Sequence, residues 1–265
     1  MAKIGFIGMG NMGTAILMGA LKTFPKEDIV FCAKTLATRR RVYEKTGVEY
    51  ADSNAECANK CKYLFLAVKP QFYKEVLKEI RYMITPDHVV ISLAPGKTME
   101  ELKLELGQDK RIVRAMPNTP AMIGEGMTAV SLRKEELSDV ELTVLGRLFQ
   151  SCGRMEYVDE KLMDAVVCAS GSSPAFVYLF IEALADGAVR CGMPRRQAYA
   201  FAAQAVRGAA SMVLETGEHP GILKDQVCSP AGTTIEGVAA LEEYGMRNAV
   251  LKASEAVLKK CREMS

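Results

Sequence analysis

The chain has 265 residues, 49% of them hydrophobic, and its 34 basic and 32 acidic residues leave a formal charge of +2. That near balance sets up no strong field to recruit nucleic acid or an anionic membrane, and the length suits one large domain or two smaller ones with a sizeable core. The opening MAKIGFIGMG has too short an apolar run for a signal peptide, and no stretch reaches about 18 uninterrupted apolar residues, so the expectation is a cytoplasmic protein that engages neither nucleic acid nor membrane.

The first apolar run, KIGFIG, leads straight into GMGNMG, which sets Gly8, Gly10 and Gly13 as GxGxxG between a strand and the amphipathic stretch NMGTAILMGALK. Each glycine has a reason to be there: Gly8 for a tight turn, Gly10 for close approach of backbone to a pyrophosphate, Gly13 for packing of helix on strand. The helix start adds free N–H groups and a positive dipole end, so a dinucleotide is the expected ligand. The next run, IVFCA, ends in Ala33-Lys34-Thr35 rather than in the acid that would bind ribose hydroxyls. With Lys34 and Arg39 placed to pair with a 2′-phosphate, NADPH is the expected cofactor, with NADH as the lesser alternative. Read otherwise, Arg39 to Arg41 form a solvated helix face.

Further runs, YLFLAV, VVISLA, RIVRAM and MTAVSL, alternate with helical stretches up to about Val158. Most are apolar throughout, as strands covered on both faces must be. The alternation predicts an α/β unit over residues 1–159, a Rossmann-type doubly wound parallel sheet. From residue 160 to 265 no strand pattern remains, and an all-α domain is expected. SPAFVYLFIEALADGAVRCGM carries only Glu182 and Asp186 in its middle, so it must be buried on most sides, and a partner subunit is expected to cover part of it. A compact monomeric bundle is the alternative. Gly192-Met193-Pro194 should end this helix and GEHPG the next, with one further helical pattern, VAALEEYGMRNAVLKASEAVLKKCREM. The eight cysteines contain no CxxC pair and read as small buried hydrophobes in a reducing compartment; no zinc-site spacing accompanies them.

Four stretches, FLAVKPQ, RAMPNTPA, SGSSPAFVYLFIEALADGAVRCGMPR and ETGEHPGILKDQVCSPAGTTIEGVAALEEYGMR, together resemble the pyrroline-5-carboxylate reductase family, in the right order and over the whole chain. The resemblance implies reduction of 1-pyrroline-5-carboxylate to proline with NADPH or NADH, the last step of proline synthesis. It also implies a homodimer through the C-terminal helices and, in many members, a ring of dimers. CSPAGTTIEG then acquires a use: a neutral helix start rich in N–H groups and hydroxyls is a good receptor for the carboxylate of a small cyclic imine. By resemblance Thr234 is the catalytic residue, donating a hydrogen bond to the ring nitrogen, while Ser229, Gly232 and Thr233 hold the carboxylate, and Gln226 and Glu160 are further candidates on the substrate side. The glycine loop with Asn11 and Met12 resembles a pyrophosphate site, Asn54 a ribose or adenine-side contact, and Val68, Lys69, Pro70, Ala94 and Asn118 the cofactor-lining strand ends.

Reduction of a protonated imine needs little acid–base machinery, which fits a chain with two histidines; His219 reads as a turn residue. Two departures from the family pattern stand out. Ala231 replaces a usual glycine, where its Cβ would crowd the carboxylate if φ is positive, and Pro95 follows Ala94 where a small residue is more usual. A hydroxyacid dehydrogenase of the 3-hydroxyisobutyrate type is an alternative, but it needs a lysine on the helical domain that has no counterpart here. A non-catalytic dinucleotide-binding regulator would have no reason to keep SPAGTT.

Overall fold

The structure, a computed structural model, describes residues 3–264. In chain order its first part contains β1 (Ile4–Ile7), α1 (Asn11–Ala20), β2 (Ile29–Cys32), α2 (Leu36–Thr46), α3 (Asn54–Asn59), β3 (Tyr63–Leu66) and α4 (Tyr73–Ile80). These are followed by β4 (Val89–Ser92), α5 (Met99–Leu106), β5 (Arg111–Met116), β6 (Gly126–Ser131), α6 (Asp139–Gln150), β7 (Gly153–Tyr157) and α7 (Met163–Val166). The apolar runs become strands because both faces of the sheet are covered. Alternate residues feed two cores, Phe6, Phe31, Phe65 and Phe149 entering one, and Ile7, Leu64, Leu66 and Val90 the other. Full burial of each such side chain is worth about 1.5–3 kcal/mol.

The strand order is β2-β1-β3-β4-β5-β6-β7. β1 to β5 are parallel, an isolated parallel bridge from Phe31 to Tyr50 lies beyond β2, and the sheet is doubly wound as expected. It is not parallel throughout, however. β6 runs antiparallel to β5, and β7 pairs parallel with β6. The link from Met116 to Gly126 is shorter than the roughly dozen residues that a parallel crossover needs, so the chain must turn back. β7 was not expected at all. It is an edge strand with Arg154 and Glu156 exposed, and so it lacks the continuous apolar run by which the buried strands announce themselves.

Contacts divide the chain into a unit that extends to Ser172 and includes the segment from Val257 onward, and a second unit, Ser173–Ala256. Residues 160–172 therefore group with the sheet. The helices from here on are α8 (Ser173–Arg190), α9 (Arg195–Thr216), α10 (Pro220–Val227), α11 (Thr233–Glu243) and α12 (Met246–Met264). α8 ends before Gly192 and α9 at Gly217, as the punctuation predicts. The last helical pattern is interrupted where a single helix was expected, because the chain turns at Tyr244-Gly245 between α11 and α12. The second unit has almost no core of its own. Only Ala185, Ala198 and Ala202 form its buried cluster, while Leu179 and Phe201 are each 66% exposed. A compact monomeric bundle is therefore not what this sequence makes. The continuous helical stretch Glu160–Arg190 is long and apolar enough, by length and composition, to cross a membrane.

Candidate active site: the nucleotide loop and the hydroxyl turn

The loop after β1 is shaped by contacts that leave no room for a side chain at two of its glycines. Gly8 has φ +97°, and a Cβ there would lie 2.7 Å from Val68 Cγ1 and 2.8 Å from the Ala67 backbone. A Cβ on Gly13 would lie 2.1 Å from the Gly8 carbonyl oxygen, which is how closely α1 sits on the turn. Gly10 differs from both: nothing lies within 4 Å of its would-be Cβ, so the space over the start of α1 is open. Gly10 is also the N-cap, without a side-chain hydrogen bond and without an acid in the first turn, so the N–H groups at Asn11, Met12 and Gly13 face no competing side chain. Close packing beneath and open donors above fit a pyrophosphate.

At the end of β2, Lys34 is exposed, with its Nζ 5.1 Å from the centre of the Phe72 ring. Thr35 caps α2 through its hydroxyl, which accepts from the Thr38 N–H at 3.2 Å. Arg39 is engaged within the fold. Its Nε donates to the Ala33 carbonyl at 2.7 Å, Nη2 to the Asp52 carbonyl at 3.0 Å, and Nη1 lies 3.4 Å from the Asp52 carboxylate. It ties together the two segments at this edge, whereas Lys34 and the exposed Arg40 and Arg41 are held by no such bonds to carbonyls. Asn54 begins α3 and donates to the Glu79 carboxylate at 2.7 Å.

The C-terminal strand ends collect the other expected cofactor contacts. Val68, Lys69 and Pro70 follow β3, and Ala94 and Pro95 follow β4, the latter two lining a small cavity with Arg114, Met116, Met163 and Val167. Asn118 and Glu160 have protein partners that the sequence did not reveal. The Asn118 amide is buried, donates to the Ser170 carbonyl at 3.1 Å and accepts from the Met127 N–H at 2.9 Å, so both its ends are engaged in holding β6 and the residues after α7. Ser170 lies in a π-helical turn, Val167–Gly171, whose widened backbone offers that carbonyl. Glu160 accepts from the Met99 N–H at 2.6 Å and pairs with buried Arg114 at 2.9 Å, clamping the start of α5 to β5. Within its own unit its carboxylate is thus already matched by a cation and a donor. Arg114 was overlooked in the sequence, although a cation inside the apolar run RIVRAM was the signal.

In the second unit, CSPAGTT forms the link from α10 to α11. The Gly232 N–H donates to the Ser229 carbonyl at 3.0 Å, closing a turn with Pro230 and Ala231 at its centre. Ala231 has φ 56°, the one non-glycine with positive φ among the described residues. The third position of a Pro-containing turn of this kind favours glycine, and alanine there carries strain of about 1–2 kcal/mol. A Cβ on Gly232 would lie 2.4 Å from the Ser229 hydroxyl oxygen, so that hydroxyl sits directly over the glycine. Gly232 is the N-cap of α11, and no side chain caps it, which leaves the N–H groups of the first turn, with the Thr233 and Thr234 hydroxyls beside them, available to an anion. Gln226, exposed on α10, donates to Glu218 at 3.2 Å. His219 caps α10, its Nδ1 accepting from the Gly221 N–H at 3.0 Å, in keeping with a turn residue.

A doubly wound nucleotide unit with an open glycine loop, followed by helices that present an uncapped, hydroxyl-rich start, defines a dinucleotide-dependent oxidoreductase of a small anionic substrate. The family model described as "NADP oxidoreductase coenzyme F420-dependent" matches residues 3–96, and that described as "Pyrroline-5-carboxylate reductase dimerisation" matches residues 160–264. The chain is 46% identical to the pyrroline-5-carboxylate reductase of Escherichia coli, over 99% of this chain and 98% of that protein. The solved pyrroline-5-carboxylate reductase of Coxiella burnetii superposes with TM-score 0.90 at 32% identity, covering 100% of this chain and 98% of the other. The Plasmodium falciparum pyrroline carboxylate reductase, solved with NADP bound, gives 0.88 at 32% identity, covering 99% and 98%. This chain belongs to the pyrroline-5-carboxylate reductase family, and its C-terminal region is a dimerisation domain. The hydroxyacid dehydrogenase and non-catalytic readings are not favoured by these relationships.

Proposed function

We propose that the chain reduces 1-pyrroline-5-carboxylate to proline with NAD(P)H, and that its two units divide the work. The observation that carries this reading is the uncapped start of α11, reached through the Ser229–Gly232 turn, in a chain 46% identical to a named reductase. Ser229, Gly232 and Thr233 receive the carboxylate through hydroxyls and backbone N–H groups, a receptor that selects by shape as well as charge. Thr234 donates a hydrogen bond from its hydroxyl to the ring nitrogen as the imine becomes an amine and that nitrogen gains a lone pair. Gln226 stands on the helix leading into the turn. Glu160 and Asn118 contribute by holding the strand ends and the residues around them. The open space over Gly10 suits the pyrophosphate, with Asn11, Met12 and Gly13 offering N–H groups, Asn54 on the adenine side, and Val68, Lys69, Pro70 and Ala94 lining the strand ends. When bound, the reduced nicotinamide supplies a hydride to the imine carbon.

No acid–base pair is required of the protein if the imine enters protonated. Both histidines fit that economy, since His219 caps a helix and His88 is buried, bonded to Thr85 and the Ala58 carbonyl. The preference for NADPH over NADH rests on Lys34, with Arg39 bracing the edge beneath it. Residues 1–159 form the nucleotide domain and residues 160–265 the substrate-binding and dimerisation domain, although residues 160–172 and the segment from Val257 group by contacts with the sheet. A second copy covers the apolar face of α8, in place of lipid, and further assembly gives a ring of dimers. Cysteines that form no disulfide among the described residues agree with a cytoplasmic, reducing location.

The test is NADPH oxidation by the purified protein with 1-pyrroline-5-carboxylate, beside Thr234→Ala. Turnover in the parent and a loss of about 10²-fold or more in kcat for the variant are expected, the scale for removing one transition-state donor. A parent without turnover on either cofactor would overturn the assignment, and a variant at parental rate would overturn the role of Thr234.

A further inference from the structure

Tyr73 is the first residue of α4, 2% exposed, in a helix whose other buried positions are Val76, Leu77 and Ile80. A phenol inside that apolar face needs partners. Its Oη donates to the Leu66 carbonyl at 2.8 Å and lies 3.0 Å from the Ser92 Oγ, which is 3.4 Å from the Ala94 N–H. Tyrosine has one hydroxyl proton, and the Leu66 carbonyl takes it, so the Ser92 hydroxyl must donate to Tyr73 while accepting from Ala94. The bonds therefore all point one way, from the Ala94 N–H through Ser92 and Tyr73 to the Leu66 carbonyl. Leu66 and Ser92 are register partners at the ends of β3 and β4. Immediately beyond them the chain continues into Ala67–Pro70 on one side and Leu93–Pro95 on the other, the two segments that flank the ligand-binding edge of a doubly wound sheet.

We propose that Tyr73 is a positioning residue for the reductase reaction: through Ser92 it fixes the separation of the Val68–Pro70 and Ala94–Pro95 segments, and so the affinity for the nicotinamide cofactor. This rests on the proposed placement of the cofactor along those segments. Burial pushes the Tyr73 phenol up to about 12 despite the hydrogen bond from Ser92, so it keeps its proton, and the relay its direction, throughout the working pH range.

Tyr73→Phe keeps the ring and its packing and removes only the central oxygen, and Ser92→Ala removes the next link. NADPH binding is measured by fluorescence titration on the full-length protein, alongside KM and kcat. Each variant is expected to raise the Kd and KM for NADPH about fivefold to tenfold, to change kcat at saturating cofactor and KM for 1-pyrroline-5-carboxylate by less than about twofold, and to show no further rise in the double variant, since both changes cut one relay. Gly10→Glu, which meets no protein atom within 4 Å at its Cβ, serves as the control for the cofactor site. Loss of NADPH affinity in Gly10→Glu but not in Tyr73→Phe or Ser92→Ala, even with lowered melting temperatures, overturns the relay alone. Unchanged affinity in all three overturns the cofactor placement and the relay with it. Should Tyr73→Phe fail to fold, the smaller Ser92→Ala change decides by the same criterion.

Discussion

The sheet unit and the helical unit are built on opposite principles. The first buries two continuous cores, with aromatics such as Phe6 and Phe65 stacked at 4.9 Å, and each of its strands is covered on both faces up to the β6–β7 edge. The second gathers three alanines and leaves Tyr178, Leu179 and Phe201 bare. Alanine at a helix contact permits close approach but removes little apolar surface from water, so the second unit draws its stability from a second copy. The proposed substrate turn lies on the unit that is incomplete alone, and the cofactor loop on the unit that is not. Activity should therefore depend on association even though nucleotide binding should not.

Leu179→Glu is the most severe way to break that contrast. A carboxylate on the bare face of α8 should abolish the dimer and with it turnover, while NADPH binding survives; sedimentation and NADPH titration on one sample check both. A dimer that persists with full activity would mean α8 is not the contact. Gly13→Ala attacks the other unit. Its Cβ, 2.1 Å from the Gly8 carbonyl, forces the loop off α1, and we expect a loss of about 2–3 kcal/mol in stability together with NADPH binding, while the dimer remains.

Acid should discriminate between the units more gently. Glu141 in α6 is opposed by burial, yet hydrogen bonds from Lys62, the Ser138 N–H and Arg111 outweigh this and hold its carboxyl at about 2. A carboxyl whose pKa falls on folding stabilises above its ordinary range, and that contribution drains away as pH drops from about 4.5 towards about 2. Glu141→Gln should thus cost about 2–3 kcal/mol at neutral pH, as read by urea unfolding, with the difference from the parent shrinking through that window. Ala231→Gly has the smallest expected effect. Relief of the φ 56° strain, partly offset by the greater freedom of unfolded glycine, should stabilise the helical unit by about 0.5–1 kcal/mol, as read by thermal unfolding of the dimer.

How much of this was legible in the sequence depended on how local the cause was. GMGNMG declared both its fold and its ligand because the turn, the open donors and the helix packing all arise within a few residues of one another. Positive φ at Ala231 was foreseen only as a condition, through the glycine usual at that position in the family. β7 escaped because charged edge residues mask a strand, and the reversal at β6 because strand direction is set by the length of the preceding link and not by any residue pattern. The roles of Asn118 and Glu160 were out of reach, since their partners Ser170 and Met99 are distant in sequence and meet them only in the folded sheet unit. Arg114 was visible as a polar anomaly in the apolar run RIVRAM, but an anomaly does not name its partner.

The start of α11 has one more consequence. Under the proposed reaction, the carboxylate that sits on its free N–H groups is the same group in substrate and product; only the ring nitrogen changes. Affinity invested there holds both ends of the reaction equally, so it can lower KM and slow departure but cannot hasten the chemistry. The proposed bond from Thr234 would then be the contact that distinguishes what arrives from what departs.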